Sequence, residues 1–289
     1  MLSQKQKNLL WFAIFTISFL FFIIRSFYFN EPDTPQLLIG SFPVQPFGLL
    51  VAMGILFGVY RGQVWAENHG LNAKIASDGT FYMILLGLIG SHFLDVLWYY
   101  PAEFINPLEY SCVIDGNIDC HYVFNFRQSY SSLGGFLTAV IVGVVYFRMK
   151  KQKVLPYADM SVYAITSAWL FGRLACFSAH DHPGTISDFF LAVNIRGAMR
   201  HDLGLYELLF TFIIFGTMMY LTREKRFTGF VVVLVTTMYA PVRFLLDFLR
   251  VSDATYIGLT PAQWLTIPLF CTGLYLLYIK RNEIEKPGA

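Results

Sequence analysis

Charge is what this chain has least of. Only 14% of its 289 residues are Asp, Glu, Lys or Arg, whereas a soluble domain carries about a quarter. That shortage excludes an ordinary water-soluble globule. The net charge of +2 is too small to point to nucleic acid. Also missing are low-complexity tracts, a clear internal repeat and any linker long enough to separate two domains. With no repeat and no ladder of ionisable residues crossing the bilayer, a transporter has little support. No familiar zinc spacing occurs, and no residue pattern calls for a metal or an organic cofactor.

What fills the sequence instead is apolar. Hydrophobic residues make up 56%, with 29 Phe and 17 Tyr, which suits a chain whose solvent is lipid. Read as apolar runs of roughly 17–25 residues, the spans number eight: 9–24, 47–62, 79–99, 131–147, 157–177, 205–221, 227–249 and 262–278. The fold class is an all-α polytopic membrane protein. The second and fourth runs are short, so flanking residues are expected to add a turn. Lys and Arg sort by loop: Lys5, Lys7, Arg61, Lys74, Arg148, Lys150, Arg223, Lys225 and Lys280 share one side, while Arg25, Arg127, Arg196, Arg200 and Arg250 share the other. By the positive-inside rule both termini are cytoplasmic. Lys5 and Lys7 precede an apolar run as in a signal peptide. The following 25–30 segment has no small-x-small cleavage site, so residues 1–30 are expected to stay as an anchor.

The longest stretches outside the spans, 25–46, 100–130 and 178–204, fall on the extracytoplasmic side, where the function is expected. The 61–78 connection is the one sizeable cytoplasmic loop, read as a turn at Asn68-His69-Gly70. Cys112 and Cys120 lie in the outer 100–130 loop, where a disulfide can persist; two free thiols are the other reading. Cys176 and Cys271, inside spans, read as ordinary apolar residues.

Charges within spans are costly, at least about 2.5–3.5 kcal/mol each, and face protein-lined cavities. Four groups stand out: His92 with Asp95, Arg173, Glu207, and Arg243 with Asp247. Arg243 and Asp247 are four apart, so they share a helix face and can form an internal salt bridge. Arg173 has no carboxylate at helical spacing in its own span and needs a partner elsewhere in the bundle, or a bound anion. Two buried arginines near the outer half of adjacent helices suit a phospholipid phosphate, which a guanidinium holds through two parallel hydrogen bonds.

After the fifth span comes Ser178-Ala179-His180-Asp181-His182-Pro183-Gly184, and His201-Asp202 precedes the sixth. These histidines can serve as general bases near neutral pH, form a polar interfacial turn, or bind a metal. Gly134-Gly135 opens the fourth span. It can bring backbone N–H groups to an anionic headgroup, or simply let two helices pack closely.

From about Phe42 to Lys280 the chain resembles the prolipoprotein diacylglyceryl transferase family of bacterial inner membranes. Gly172-Arg173-Leu174, Phe177 and Gly184 resemble its signature G-R-x-G-N-F-x-N-x-E-x-x-G. Arg200-His201 with Leu205-Tyr206-Glu207 resembles R-H-P-S-Q-L-Y-E. Tyr239, Arg243-Phe244, Asp247-Phe248 and Arg250 resemble Y-x-x-x-R-F…E-F-x-R, and Thr260, Gln263 and Pro268 resemble S-x-x-Q…P. The family's H-G-G is here Leu133-Gly134-Gly135, so a histidine commonly assigned to catalysis is absent. Two signature asparagines are Cys176 and Ala179, the glutamate is Asp181, and His92 replaces an arginine. The phosphate-handling residues are kept; the acceptor-handling ones are rewritten.

The resemblance implies a seven-helix transferase core, residues 42–281, with outer loops 100–130 and 178–204, after an extra N-terminal span and before a cytoplasmic tail, 282–289. It implies a multi-pass protein of the bacterial inner membrane. It also implies transfer of a diacylglyceryl group from phosphatidylglycerol to an acceptor, foremost the lipobox cysteine thiol of a prolipoprotein signal peptide. On this reading Arg173 and Arg243 clamp the phosphate and Arg250 assists. Glu207 and Asp247 orient the arginines, and Tyr206, Tyr239, Gln263, Gly134 and Gly135 complete the substrate site. The base is His201 first, then His180 or His182. Two alternatives remain: a relative with the same donor and another acceptor, or a non-catalytic phospholipid-binding or assembly subunit.

Overall fold

A computed structural model describes residues 3–29, 37–39, 42–99, 108–115, 117–124, 131–251 and 255–285. Among them are eight helices long and apolar enough to cross a membrane: α1 (Gln4–Ile24), α2 (Pro46–Asn68), α3 (Ala73–Tyr99), α4 (Ser132–Met149), α5 (Val154–Ala179), α6 (Leu203–Leu221), α7 (Phe230–Leu246) and α8 (Pro261–Glu285). The short second run does gain turns, reaching Asn68. This places Arg61 inside the helix, buried, and leaves only residues 69–72 between α2 and α3. The expected cytoplasmic loop 61–78 is therefore corrected to a tight turn.

The chain divides into two compact units, residues 1–71 with 155–289, and residues 72–154. In the first, α5 is the hub, burying Leu170, Phe171, Leu174, Ala175 and Phe177. Around them pack Phe15 and Phe22 of α1, Leu50 and Phe57 of α2, and Leu205 and Leu208 of α6. Helix association in lipid depends on close van der Waals contact, which small residues permit. Gly54 and Gly58 supply it here: a Cβ on either would stand 2.8 or 2.9 Å from the carbonyl oxygens of Ala168 and Ala164. Helix α7 starts against α5 in another way. The buried Asp159 carboxylate of α5 accepts from the Gly229 N–H at 2.6 Å and the Val232 N–H at 3.1 Å, groups that a helix start leaves without intrahelical partners.

Between α5 and α6 lies a three-stranded antiparallel sheet in the order β5 (Pro183–Ile186), β7 (Ala198–Asp202), β6 (Val193–Ile195). Gly184 also bridges to Arg250 beyond α7. A Cβ there would lie 3.1 Å from the Leu249 carbonyl and 2.9 Å from His201 Cβ, so only glycine admits this approach. Further upstream, β1 (Leu37–Ile39) pairs with β2 (Phe42–Val44).

The second unit packs α3 against α4 and carries a hairpin of β3 (Leu108–Asp115) and β4 (Asn117–Phe124). Its register sets Cys112 opposite Cys120; their side chains, and so the expected disulfide, lie outside the described residues. Gly134 and Gly135, expected beside a lipid headgroup, are occupied by packing. A Cβ on Gly134 would meet Leu94 Cβ at 2.7 Å, and one on Gly135 would meet Ser91 Cβ at 3.2 Å. The Gly134 N–H is also directed to Ser131 Oγ, the N-cap of α4.

Two substitutions test these junctions. Gly134→Ala overpacks the α3–α4 contact and is expected to cost about 1–3 kcal/mol, read as a lower melting temperature of the detergent-purified protein. An unchanged melting temperature would remove the packing role. Asp159→Ala strands two buried N–H groups, with an expected loss of about 1–3 kcal/mol in the same assay; an unaltered melt would show that water takes over the cap.

Candidate active site

Lipid rejects an isolated guanidinium, so each arginine inside a span requires a partner. Arg173 sits on the last turns of α5 and Glu207 on the first turns of α6. They meet because Gly204, one turn before Glu207, lies directly on the α5 backbone: a Cβ there would be 2.9 Å from Phe177 N and 3.0 Å from the Cys176 carbonyl carbon. Arg173 Nη2 then reaches Glu207 Oε2 at 2.7 Å. From α7, Arg243 Nη1 donates to the other oxygen, Oε1, at 3.0 Å. One carboxylate, 3% exposed, joins two guanidinium groups on different helices.

The network continues from there. Arg243 Nη2 lies 2.8 Å from Asp247 Oδ1, and Arg250 Nη1 lies 3.9 Å from the same oxygen. Helix α7 gives way at Asp247 to a short 3-10 turn, Asp247–Leu249, which keeps all three side chains on one side of the chain. Thr260 Oγ1 donates to the second Asp247 oxygen. The Tyr239 hydroxyl stands 3.4 Å from Arg173 Nη2 and 3.5 Å from Glu207 Oε2, its ring tilted against Trp169, over which Arg173 also lies. Both readings of Arg243 hold together: it makes the i,i+4 bridge and also reaches across to Glu207.

Three guanidinium groups thus meet two buried carboxylates. Arg173 Nε is buried and hydrogen-bonds to no described residue, an arrangement that costs about 1–3 kcal/mol unless a ligand or water fills it. A tetrahedral anion suits that combination of paired guanidinium groups and an unfilled N–H donor.

The loop histidines separate into distinct roles. His180 has a left-handed backbone, φ 47°, and both ring nitrogens are engaged: Nδ1 with Asp202 Oδ2 at 2.5 Å and Nε2 with Ser26 Oγ at 3.3 Å. Ser26, His180 and Asp202 stand in the order of a nucleophilic triad. All three are buried, however, and Asp202 also caps α6 by accepting from the Leu205 N–H at 3.1 Å. We read them as a tether between the π-helical end of α1 and the sheet. Both ring nitrogens of His180 are engaged in that tether. His182 accepts from Arg250 Nη2 at 3.0 Å through Nδ1; burial, then Arg250 and Arg173, hold its imidazole down to about 3. It is neutral throughout the physiological range and a weak base. His201 Nδ1 pairs with the Tyr206 hydroxyl at 2.7 Å, under Phe189.

Cys176 Sγ, Asp181 and His182 have potential ligand atoms within 4.8 Å of one another. With Nδ1 of His182 accepting from Arg250, its proton is on Nε2, which faces Asp181 Oδ1 at 3.7 Å. A cation there would have to displace an arginine and lie beside two others. The group does not fit a metal.

Gln263, expected at the substrate, is corrected to a structural residue. Its Oε1 accepts from Thr260 N–H at 3.0 Å, its own N–H goes to Thr260 Oγ1 at 3.1 Å, and its Nε2 donates to the Phe244 carbonyl at 3.1 Å. That is a capping box at the start of α8, and it engages the side-chain oxygen and one of the two amide hydrogens. The sequence reading named Thr260 only as part of a motif and missed its contact with Asp247, as it missed Trp169 and the Ser26–His180–Asp202 tether. Trp169 had a signal, standing four residues before Arg173 on one helix face; the other contacts join residues 13 or more apart.

Comparison with known proteins identifies the family. Residues 36–279 match the family described as prolipoprotein diacylglyceryl transferase. Relatives named phosphatidylglycerol–prolipoprotein diacylglyceryl transferase include one from Staphylococcus haemolyticus, 25% identical over 90% of this chain and 92% of its own. One from Campylobacter lari is 24% identical over 82% and 89%, and one from Janthinobacterium sp. is 26% identical over 86% and 95%. The chain belongs to the prolipoprotein diacylglyceryl transferase family.

Proposed function

We propose that this protein moves a diacylglyceryl group from phosphatidylglycerol to the cysteine thiol of a prolipoprotein, at the outer face of a bacterial inner membrane with both termini in the cytoplasm. The observation that carries this reading is the Arg173–Glu207–Arg243 bridge. The reaction breaks the bond between a glycerol carbon and a phosphate oxygen, so negative charge grows on the departing glycerol phosphate. Fixed cations aimed at that charge stabilise the transition state more than the ground state.

In this account Arg173 and Arg243 receive the phosphate, Glu207 fixes the spacing of their guanidinium groups, and Asp247 orients Arg243 and Arg250. Tyr239 spans the clamp with its hydroxyl. Orientation rests on the basic residues at one set of loops. The arginine cluster and the sheet then share the opposite, outer end.

The test uses purified protein and phosphatidylglycerol labelled in both the acyl and glycerol parts, scoring glycerol phosphate release and label on a lipobox peptide. Arg243→Ala is expected to lower kcat/KM by at least about a hundredfold, the scale for losing one preorganised charge-stabilising group. Arg243→Lys should recover only part, because a lysine is a point charge without the two-pronged guanidinium. Full activity in Arg243→Ala would contradict the clamp. Glycerol phosphate release without peptide labelling would keep the donor and reassign the acceptor.

A further inference from the structure

The proposed transfer removes a proton from the acceptor thiol, and that proton needs a destination. We propose that Asp181 is the general base of the transfer reaction. The assignment rests on the proposed donor and acceptor and adds the residue that activates the acceptor.

Geometry singles out this side chain. His180 is fixed at both ring nitrogens by Ser26 and Asp202, and its left-handed backbone turns the chain just before Asp181. His182 is fixed by Arg250 in the tautomer whose Nε2–H faces Asp181 Oδ1. His201 is paired with Tyr206. Among the described residues, Asp181 is left as the acidic group beside the clamp with an exposed side chain, 36% exposed, while Glu207 and Asp247 are 3% and 0% exposed and engaged by arginines. It lies in the group with Cys176 Sγ, which is itself 3.9 Å from Arg173 Nη1. A thiol approaching a phosphate held by Arg173 therefore passes the Asp181 carboxylate.

The charges acting on Asp181 suit the task. Burial pushes its carboxyl up to about 6, with Asp202 adding to the rise and Arg173 and Arg250 opposing it. A phosphodiester anion on those arginines removes part of that opposition, moving the group nearer to neutrality, where a general base is most effective. In the step itself the thiol proton passes to an Asp181 oxygen as sulfur forms its bond to the glycerol carbon. The carbon–oxygen bond to phosphate breaks, its electron pair leaves with glycerol phosphate, and Asp181 then releases the proton to that product or to water.

The experiment compares wild type, Asp181→Asn, Asp181→Glu and His201→Gln, following glycerol phosphate release and peptide labelling from pH 5 to pH 9. Wild-type kcat/KM is expected to fall as pH drops through about 6, as the carboxylate takes up its proton, and kcat to fall at a higher pH because the bound anion raises the group. Asp181→Asn should lose at least about a hundredfold in kcat at pH 7, with KM for phosphatidylglycerol within twofold of wild type and the acid limb gone. The deficit should shrink to under tenfold at pH 9, where a thiol of ordinary pKa about 8.5 ionises unaided. Asp181→Glu should keep a measurable rate and the acid limb. A merely structural role predicts no such rescue by pH. Asp181→Asn with near wild-type kcat, or a loss in His201→Gln alone, overturns the assignment. Absence of glycerol phosphate release from the wild type overturns the transfer reading itself, and the base with it.

Discussion

One carboxylate between two guanidinium groups is the interaction on which the site depends. Arg173 and Arg243 repel each other and lose hydration where they sit, and neither cost is met without Glu207. Taking charges out of water costs several kcal/mol per ion unless the pairing geometry is good and the remaining hydrogen-bonding groups are satisfied. Glu207 gives one oxygen to each arginine, so helices α5, α6 and α7 are bound together at one point. The arrangement satisfies the arginines incompletely, leaving Arg173 Nε with no hydrogen-bond partner among the described residues. That incompleteness is what a phosphate can use.

Much of the surrounding structure serves this point. Gly204 brings α6 onto the α5 backbone, and Gly184 lets the Arg250 segment bridge to β5. The Thr260–Gln263 capping box anchors the start of α8, and from it Thr260 holds Asp247. The Ser26–His180–Asp202 chain fastens the end of α1 and the sheet, which leaves Asp181 and His182 facing the arginines. The first span is thus tied into the site through Ser26.

The fold was legible because lipid imposes a simple rule: runs of apolar residues about 20 long have one stable form. All eight spans appear as helices. The errors occurred where polar residues extend a helix beyond the apolar run, as in α2 through Arg61 to Asn68. The arginines and Glu207 were legible because charge in a span is rare enough to be conspicuous. Gln263 was placed at the substrate, and Gly134-Gly135 left open between headgroup and packing, because motif position says nothing about which atoms are already used. The pairing of His180 was not legible, since its partners Ser26 and Asp202 are 154 and 22 residues away. The division into two compact units left no mark in composition, because both units are made of the same kind of helix.

The central claim is that two arginines receive one phosphate, and the most direct measurement is a structure of the protein in a lipid bilayer containing phosphatidylglycerol. The account predicts a phospholipid phosphate within hydrogen-bonding distance of both Arg173 and Arg243, with Arg173 Nε among its donors and Glu207 still between the two guanidinium groups. A phosphate held elsewhere, with Arg173 and Arg243 sealed from lipid and bonded only to their carboxylates, would contradict it.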